Sequence, residues 1–273
     1  MIRKTMLFRN LVDNVAKNLG LYSVGVLLLV LQRAAFEAAP ILVGSMAFII
    51  AYSSVYVIND ILDFAEDAID PEKTKRKPLA RGSVERSEAV RIYLVLLALG
   101  LLLSTFLGAL FLVVILFLLV VNVVYSVPLI TSQKAGSLKL KHTMMRWPLV
   151  LMMQFLKILL PWTTTAQLAS FPFLFAFGLS LLYVILFRGY KENLTVGESV
   201  KYEPILPIIT ITVFLSSLLV HPGPVFQAMI MGYLLAGIAI FWKSRIIDRK
   251  VLRIAPVYIV IGIIVLLIAM TYI

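Results

Sequence analysis

Residues 56–83 read YVINDILDFAEDAIDPEKTKRKPLARGS, an apolar run that ends in a crowd of acids and then turns abruptly basic. Read as a helix, the steps of three, four and three residues from Asp60 to Asp63, Asp67 and Asp70 put four carboxylates on one stripe. Asn59 lies beside that stripe, four residues before Asp63. Like charges at such spacings repel by roughly 0.2–0.5 kcal/mol per pair, and these also meet the partial negative charge of a helix C-terminus. The stretch therefore calls for a cation, and a divalent metal is the strongest candidate. Pro71 is expected to end the helix, leaving Lys73, Lys75, Arg76, Lys77 and Arg81 on a basic loop.

The rest of the chain says where this helix sits. Hydrophobic residues make up 61% of the 273 and charged residues 14%, with a mean hydropathy of +1.00. Soluble domains carry about 25% charged residues, so the chain is expected to be an all-α polytopic membrane protein. Spans of about 20 apolar residues are expected at roughly 19–36, 40–64, 88–106, 108–127, 143–161, 167–187, 204–220, 224–242 and 254–272, nine in all. The connection at 106–108 is so short that the third and fourth spans must form a tight hairpin. With the N-terminus inside, the inner segments hold four, seven, four, three and five Lys or Arg, 23 of the 25, the exceptions being Arg33 and Lys157. That alternation predicts a cytoplasmic N-terminus, an external C-terminus and the acidic end of the second span at the cytoplasmic face. The basic N-terminal stretch lacks a cleavage site after an apolar core and reads as a retained segment rather than a signal peptide. Arg33 and Lys157 are expected to snorkel outward.

Several chemistries are excluded. There is no cysteine and there are only two histidines, His142 and His221, so thiolate metal sites, a cysteine nucleophile and a histidine-rich centre are ruled out. The net charge of +11 follows from the sorting of basic residues by side and from anionic lipid headgroups, and gives no support to nucleic-acid binding. No repeat, low-complexity tract or long linker divides the chain, so residues 1–273 are expected to form one transmembrane domain.

Carboxylates beside clustered cations suit a metal-bound diphosphate. Mg2+ takes one or two carboxylates and completes its octahedron with phosphate oxygens and water, while Lys and Arg neutralise the remaining phosphate charge. Such a site stabilises departing pyrophosphate. Surface salt bridges are the bland reading, but exposed pairs contribute only about 0–1 kcal/mol. A cation-coupled transporter is a further reading of membrane carboxylates, although these stand at a helix end rather than at mid-membrane.

The motif NDxxDxxxD, here Asn59, Asp60, Asp63 and Asp67, at the inner end of the second of nine spans, resembles the UbiA superfamily of intramembrane prenyltransferases. The resemblance implies helices around a central lipid-accessible cavity, with Asn59, Asp63 and Asp67 on Mg2+ and Asp60 as ligand or close support. Within the superfamily, the stretch looks most like the polyprenyl-phosphate (decaprenyl-phosphate) phosphoribosyltransferase branch. Pro71, Lys73, Pro78, Ala80 and Gly82 match that branch's pattern, whereas Asp70 replaces a His and Lys77 an Arg. FRGYKE at 187–192 resembles its Gly-Lys-Arg-Tyr-x-Glu segment, and Tyr125-Ser126 with Lys139 or Lys141 its Tyr-Ser…Leu-Lys loop. The resemblance implies Lys73, Arg76, Lys77 and Arg81 as phosphate-holding residues. It places Tyr125, Lys141, Arg188, Lys191 and Glu192 at the substrate.

Most prenyl-diphosphate transferases of the superfamily carry a second aspartate motif after the sixth span. After Asp70 the only aspartate here is Asp248, so that motif is missing, and Arg188, Lys191 and Lys201 stand in its region. One acidic and one basic half suit a Mg-bound diphosphate donor facing a lipid phosphate. The expected partners are a polyprenyl lipid, a phosphorylated or diphosphate co-substrate and membrane lipids. Prenyl transfer from a diphosphate to an aromatic, quinone or glycerol-phosphate acceptor is the competing enzyme reading. A non-catalytic lipid-binding relative is the third. Tyr52 and Tyr56 are read as packing aromatics.

Overall fold

The structure is a computed structural model that describes residues 18–126, 138–196, 205–220 and 223–243. Among the described residues every regular element is helical. The long helices are α1 (Asn18–Leu31), α2 (Ala38–Leu62), α5 (Arg86–Thr105), α6 (Ala109–Ser126), α7 (Leu138–Leu159), α8 (Phe173–Val196), α9 (Ile205–Val220) and α10 (Pro224–Lys243). Two short helices, α3 (Phe64–Ile69) and α4 (Pro71–Arg76), follow α2 directly. Eight of the nine expected spans thus have a helix, and the ninth, 254–272, lies outside the described residues. By length and composition, α2, α5 and α6 can each cross a membrane.

Two compact units divide the chain, residues 1–19 with 37–164 and residues 20–36 with 165–273. In the first, α2 packs along α5 and against α6, and α6 against α7. The crossing of α2 and α5 is tight because Gly100 lies on the backbone of Ala51. A Cβ at Gly100 would come within 2.5 Å of Ala51 N and 2.6 Å of its Cα. Small residues let membrane helices approach closely where no hydrophobic force drives them together. The outer faces of α5 and α6 are apolar, with Leu94, Val95, Leu99, Leu102, Val113, Phe117 and Val120 exposed. The expected hairpin is present: α5 ends at Thr105, Gly108 turns with φ 95°, and α6 begins at Ala109.

In the second unit α8 packs against α9 and α10. A Cβ on Gly178 of α8 would meet Val213 Cγ2 at 2.9 Å. Buried hydroxyls satisfy themselves within their own helices, as Ser180 Oγ donates to Ala176 O at 2.8 Å and Thr210 Oγ1 to Leu206 O at 2.8 Å. In an apolar setting each such group would otherwise be an unpaired donor.

Two expected elements differ. The first span was expected to reach residue 36, but α1 stops at Leu31 in a Schellman cap. Arg33 takes the left-handed conformation, φ 49°. Its N–H donates to Val30 O at 2.9 Å, and the N–H of Ala34 donates to Leu29 O at 3.0 Å. Pro71 does not open a loop but the helix α4, at whose first position a proline sacrifices no hydrogen bond.

Candidate functional site

The acidic end of α2 is bent rather than continuous. At Asp63 the backbone leaves ideal helix (φ −83°, ψ 0°) and α3 resumes at Phe64. The hydrogen bonds Asp63 N–H to Asn59 O and Asp67 N–H to Asp63 O, both 2.9 Å, carry the chain through the bend. Asp70 is extended (φ −87°, ψ 113°), so the single stripe expected to run from Asp60 to Asp70 breaks up and Asp70 leaves it. Instead Asp70 starts α4, its carbonyl accepting from Thr74 N–H at 2.9 Å and Thr74 Oγ1 at 2.8 Å. Thr74 Oγ1 also donates to Asp67 O at 3.1 Å, tying α4 back to α3.

The basic segment folds back onto the acids because Leu79 is anchored. Leu79 is 5% exposed and packs with Val57 and Ile61 of α2 and Ala89 of α5, flanked by Ile58, Val84, Ile92, Tyr93 and Leu96. A turn with Gly82 at φ 71° follows, closed by Gly82 N–H to Leu79 O and Ser83 N–H to Pro78 O, both 3.0 Å. This anchor delivers Lys77 to the carboxylates. Its Nζ lies 2.9 Å from Asp60 Oδ1 and is also paired with Asp67 Oδ2. Asp67 is 1% exposed, while Asp60 and Lys77 are near 30%. Burial disfavours the Lys77 ammonium, but the hydrogen bonds and charges of Asp67 and Asp60 outweigh it and raise its pKa above the ordinary lysine value.

Asn59 presents a buried side-chain oxygen, Oδ1, that accepts no hydrogen bond, and Oδ1 of Asp67 is buried as well. Orphaned buried acceptors are rare and call for a partner. Among the described residues no three acidic or histidine side chains stand together as a ready-made cation cage; an ammonium occupies the position between Asp60 and Asp67. The donors are all oxygens, the set that hard cations such as Mg2+ prefer. They already bind one cation between them, so the residues fit a divalent metal once Lys77 moves aside.

The other expected site residues are placed as follows. Arg81 is exposed beyond the Leu79 anchor, and Tyr125 is half-buried near the end of α6. Lys73 and Arg76 lie on α4 and Lys141 on α7, while Arg188, Lys191 and Glu192 lie on α8; the side chains of these six are outside the described residues. The structure therefore brings Asp60, Asp67 and Lys77 together beside Asn59.

It also reveals a polar cluster that sequence reasoning missed. Lys157 does not snorkel: it is 3% exposed. Its ammonium donates to Asn18 Oδ1 at 2.8 Å and Gln154 Oε1 at 3.2 Å, and sits 4.4 Å from the centre of the Tyr52 ring. Asn18 Nδ2 in turn donates to the Tyr56 hydroxyl, and the Tyr52 hydroxyl donates to Asn122 Oδ1 at 3.1 Å. Tyr52, Tyr56 and Asp60 follow at steps of four, one face of α2. That spacing was the available signal for the polar contacts that the two packed tyrosines make.

A model of the UbiA prenyltransferase family matches residues 19–259. No curated protein sequence matches the chain. Among solved structures, the chain resembles one from work on the biosynthesis of digeranylgeranylglyceryl phosphate synthase in membranes, with a TM-score of 0.69, 17% identity and complete coverage of both chains. It also resembles the apo structure of a UbiA homolog from Aeropyrum pernix K1, with a TM-score of 0.65 and 14% identity over 94% of this chain and 98% of that one. A UbiA homolog from Archaeoglobus fulgidus bound to GPP and Mg2+ gives a TM-score of 0.63 and 18% identity over 96% and 99%. At these identities the likeness is one of fold.

Proposed function

The chain belongs to the UbiA prenyltransferase family, and from that premise we propose that it is a Mg2+-dependent intramembrane transferase acting on a polyprenyl lipid with release of pyrophosphate. The observation that carries this is the convergence of Asp60 and Asp67 on one cation, with the unsatisfied Oδ1 of Asn59 on the residue before Asp60, at the end of an apolar helix. Asn59, Asp63 and Asp67 hold the metal, with Asp60 as fourth ligand or support. When bound, Mg2+ supplies Lewis-acid neutralisation of the diphosphate. Lys73, Arg76, Lys77 and Arg81 take up the remaining phosphate charge. Tyr125, Lys141, Arg188, Lys191 and Glu192 serve the acceptor side.

The favoured reaction is that of the polyprenyl-phosphate phosphoribosyltransferase branch, supported by Pro71, Lys73, Pro78, Ala80 and Gly82 and by FRGYKE at 187–192. A phosphate oxygen of the lipid attacks C1 of phosphoribosyl diphosphate, the C1–O bond to diphosphate breaks, and pyrophosphate leaves with the electron pair. The competing reading, prenyl transfer from a diphosphate, draws support from the Archaeoglobus fulgidus homologs bound to GPP or DMAPP with Mg2+. Both units belong to one transferase domain in this reading, as the family match running across both suggests. The N-terminus and the acidic end of α2 face the cytoplasm and the C-terminus lies outside, supported by the sorting of 23 of 25 basic residues.

A Mg2+-dependent pyrophosphate-release assay tests this. One set of reactions receives phosphoribosyl diphosphate with polyprenyl phosphate, the other a prenyl diphosphate with aromatic or glycerol-phosphate acceptors. Turnover is expected in the first set. Turnover confined to the second would reject the branch, and none in either, with substrate flux in liposomes, would favour a transporter.

A further inference from the structure

Lys77 stands where the proposed function needs a metal. We infer that its ammonium is a stand-in cation that makes metal and diphosphate bind only together, so that the site discriminates against Mg2+ alone. The inference rests on the reading of Asn59, Asp60, Asp63 and Asp67 as metal-binding residues.

Asp67 is almost completely shielded from water, so its carboxylate stays ionised only with a cation close by, whether or not substrate is present. In the structure that cation is Lys77, shared with Asp60. A divalent ion entering alone would displace the ammonium while leaving it tethered nearby, because Leu79 pins the backbone two residues on. The result is a doubly charged ion beside an unpaired lysine, an arrangement that Coulomb repulsion opposes. A diphosphate removes the obstacle. Its oxygens complete the metal's coordination and also receive the displaced ammonium, whose flexible four-carbon stem lets it swing without moving the chain. Diphosphate alone is disfavoured for the mirror reason, since Lys77 is still engaged by two carboxylates. Each ligand therefore raises the affinity of the other by the same factor. Lysine suits this role better than arginine, whose planar fork would grip the carboxylates bidentately and release them less readily.

The test is thermal stabilisation of the full-length protein in detergent, titrated with buffered free Mg2+ with and without inorganic pyrophosphate. For the wild type, half-saturating Mg2+ is expected to fall at least about tenfold when pyrophosphate is added, within the usual range of coupling between sites. In Lys77→Gln, Mg2+ alone should bind about tenfold more tightly than in the wild type, and pyrophosphate should shift it further by less than about threefold. Lys77→Arg should retain the coupling and bind Mg2+ alone no better than the wild type. Unchanged or weaker Mg2+ binding in Lys77→Gln would overturn the inference while leaving the metal site standing. If that variant does not fold, the wild-type arms decide: pyrophosphate coupling below about twofold overturns it. Absence of any Mg2+ response, with or without pyrophosphate, would overturn the metal reading and the inference with it.

Discussion

Gly100→Ala adds one methyl group at the crossing of α2 and α5, where there is no room for it. The new Cβ would lie 2.5 Å from Ala51 N and 2.6 Å from Ala51 Cα and Cβ, whereas carbon atoms rest about 3.5–4.0 Å apart. Two of those three atoms are backbone, so no side chain can swing clear and the helices must separate by roughly 1 Å. Alanine is a better helix former than glycine by about 1 kcal/mol, and overpacking of this kind destabilises by about 1–3 kcal/mol, occasionally more. The net expectation is a loss of up to about 2 kcal/mol, seen as a lower thermal unfolding midpoint of the purified protein in detergent. Adding Ala51→Gly should rescue little, because it removes only one of the three clashing atoms. The same pair of helices anchors Leu79 and hence Lys77, and a misplacement of 1 Å can reduce turnover by about 100-fold. Pyrophosphate release should therefore fall by tenfold or more, on the order of that effect. A midpoint equal to or above the wild type would refute the packing argument.

Other perturbations separate the site from its scaffold. Asp63→Ala should lower Mg2+-dependent turnover at least about 100-fold, as loss of a metal-supported step does, with the unfolding midpoint nearly unchanged; near-wild-type activity would remove Asp63 from the metal site. Asn18→Leu takes one acceptor from the buried Lys157 ammonium and the partner of the Tyr56 hydroxyl, so stability should fall by about 3 kcal/mol. Combined with Lys157→Met the further loss should be much smaller than the sum, and strict additivity in that cycle would deny the contact. Because the folded-state pKa of Lys77 is raised, its contribution to stability is complete below the ordinary lysine value near 10.4 and disappears as pH rises through the folded value. The midpoint difference between wild type and Lys77→Gln should accordingly stay level from neutral pH up to about pH 10 and shrink above it; a difference that stays constant as pH rises further would contradict the pairing.

Local pattern made much of this molecule legible. The apolar run before Asn59 announced α2, and the three residues 106–108 announced the hairpin. The acids at 60, 63 and 67 marked the candidate site because such charge density has no structural benefit at a helix end, and Asp60 and Asp67 do meet on Lys77. What escaped was set by contacts distant in sequence. The bend at Asp63 is invisible to a periodicity that fits one straight helix, and the bridge from Lys77 to Asp67 depends on where Leu79 docks. Lys157, near the end of an apolar run, has the look of a snorkelling residue. Gln154 offers it an acceptor from its own helix, and the arrival of Asn18 from 139 positions away supplies the second that lets it remain inside.

The α5–α6 hairpin has a consequence for how this protein enters its membrane. Only Phe106, Leu107 and Gly108 separate the two helices, too short a tether for one to be threaded while the other waits in water. α5 and α6 must therefore be inserted together, as one biogenetic event, with their apolar faces delivered to lipid at once. Gly108 sits at the leading tip of that wedge in a conformation, φ 95°, that side chains rarely adopt. Substitutions there should show themselves first as failed membrane integration during synthesis, before any effect on the mature protein can be measured.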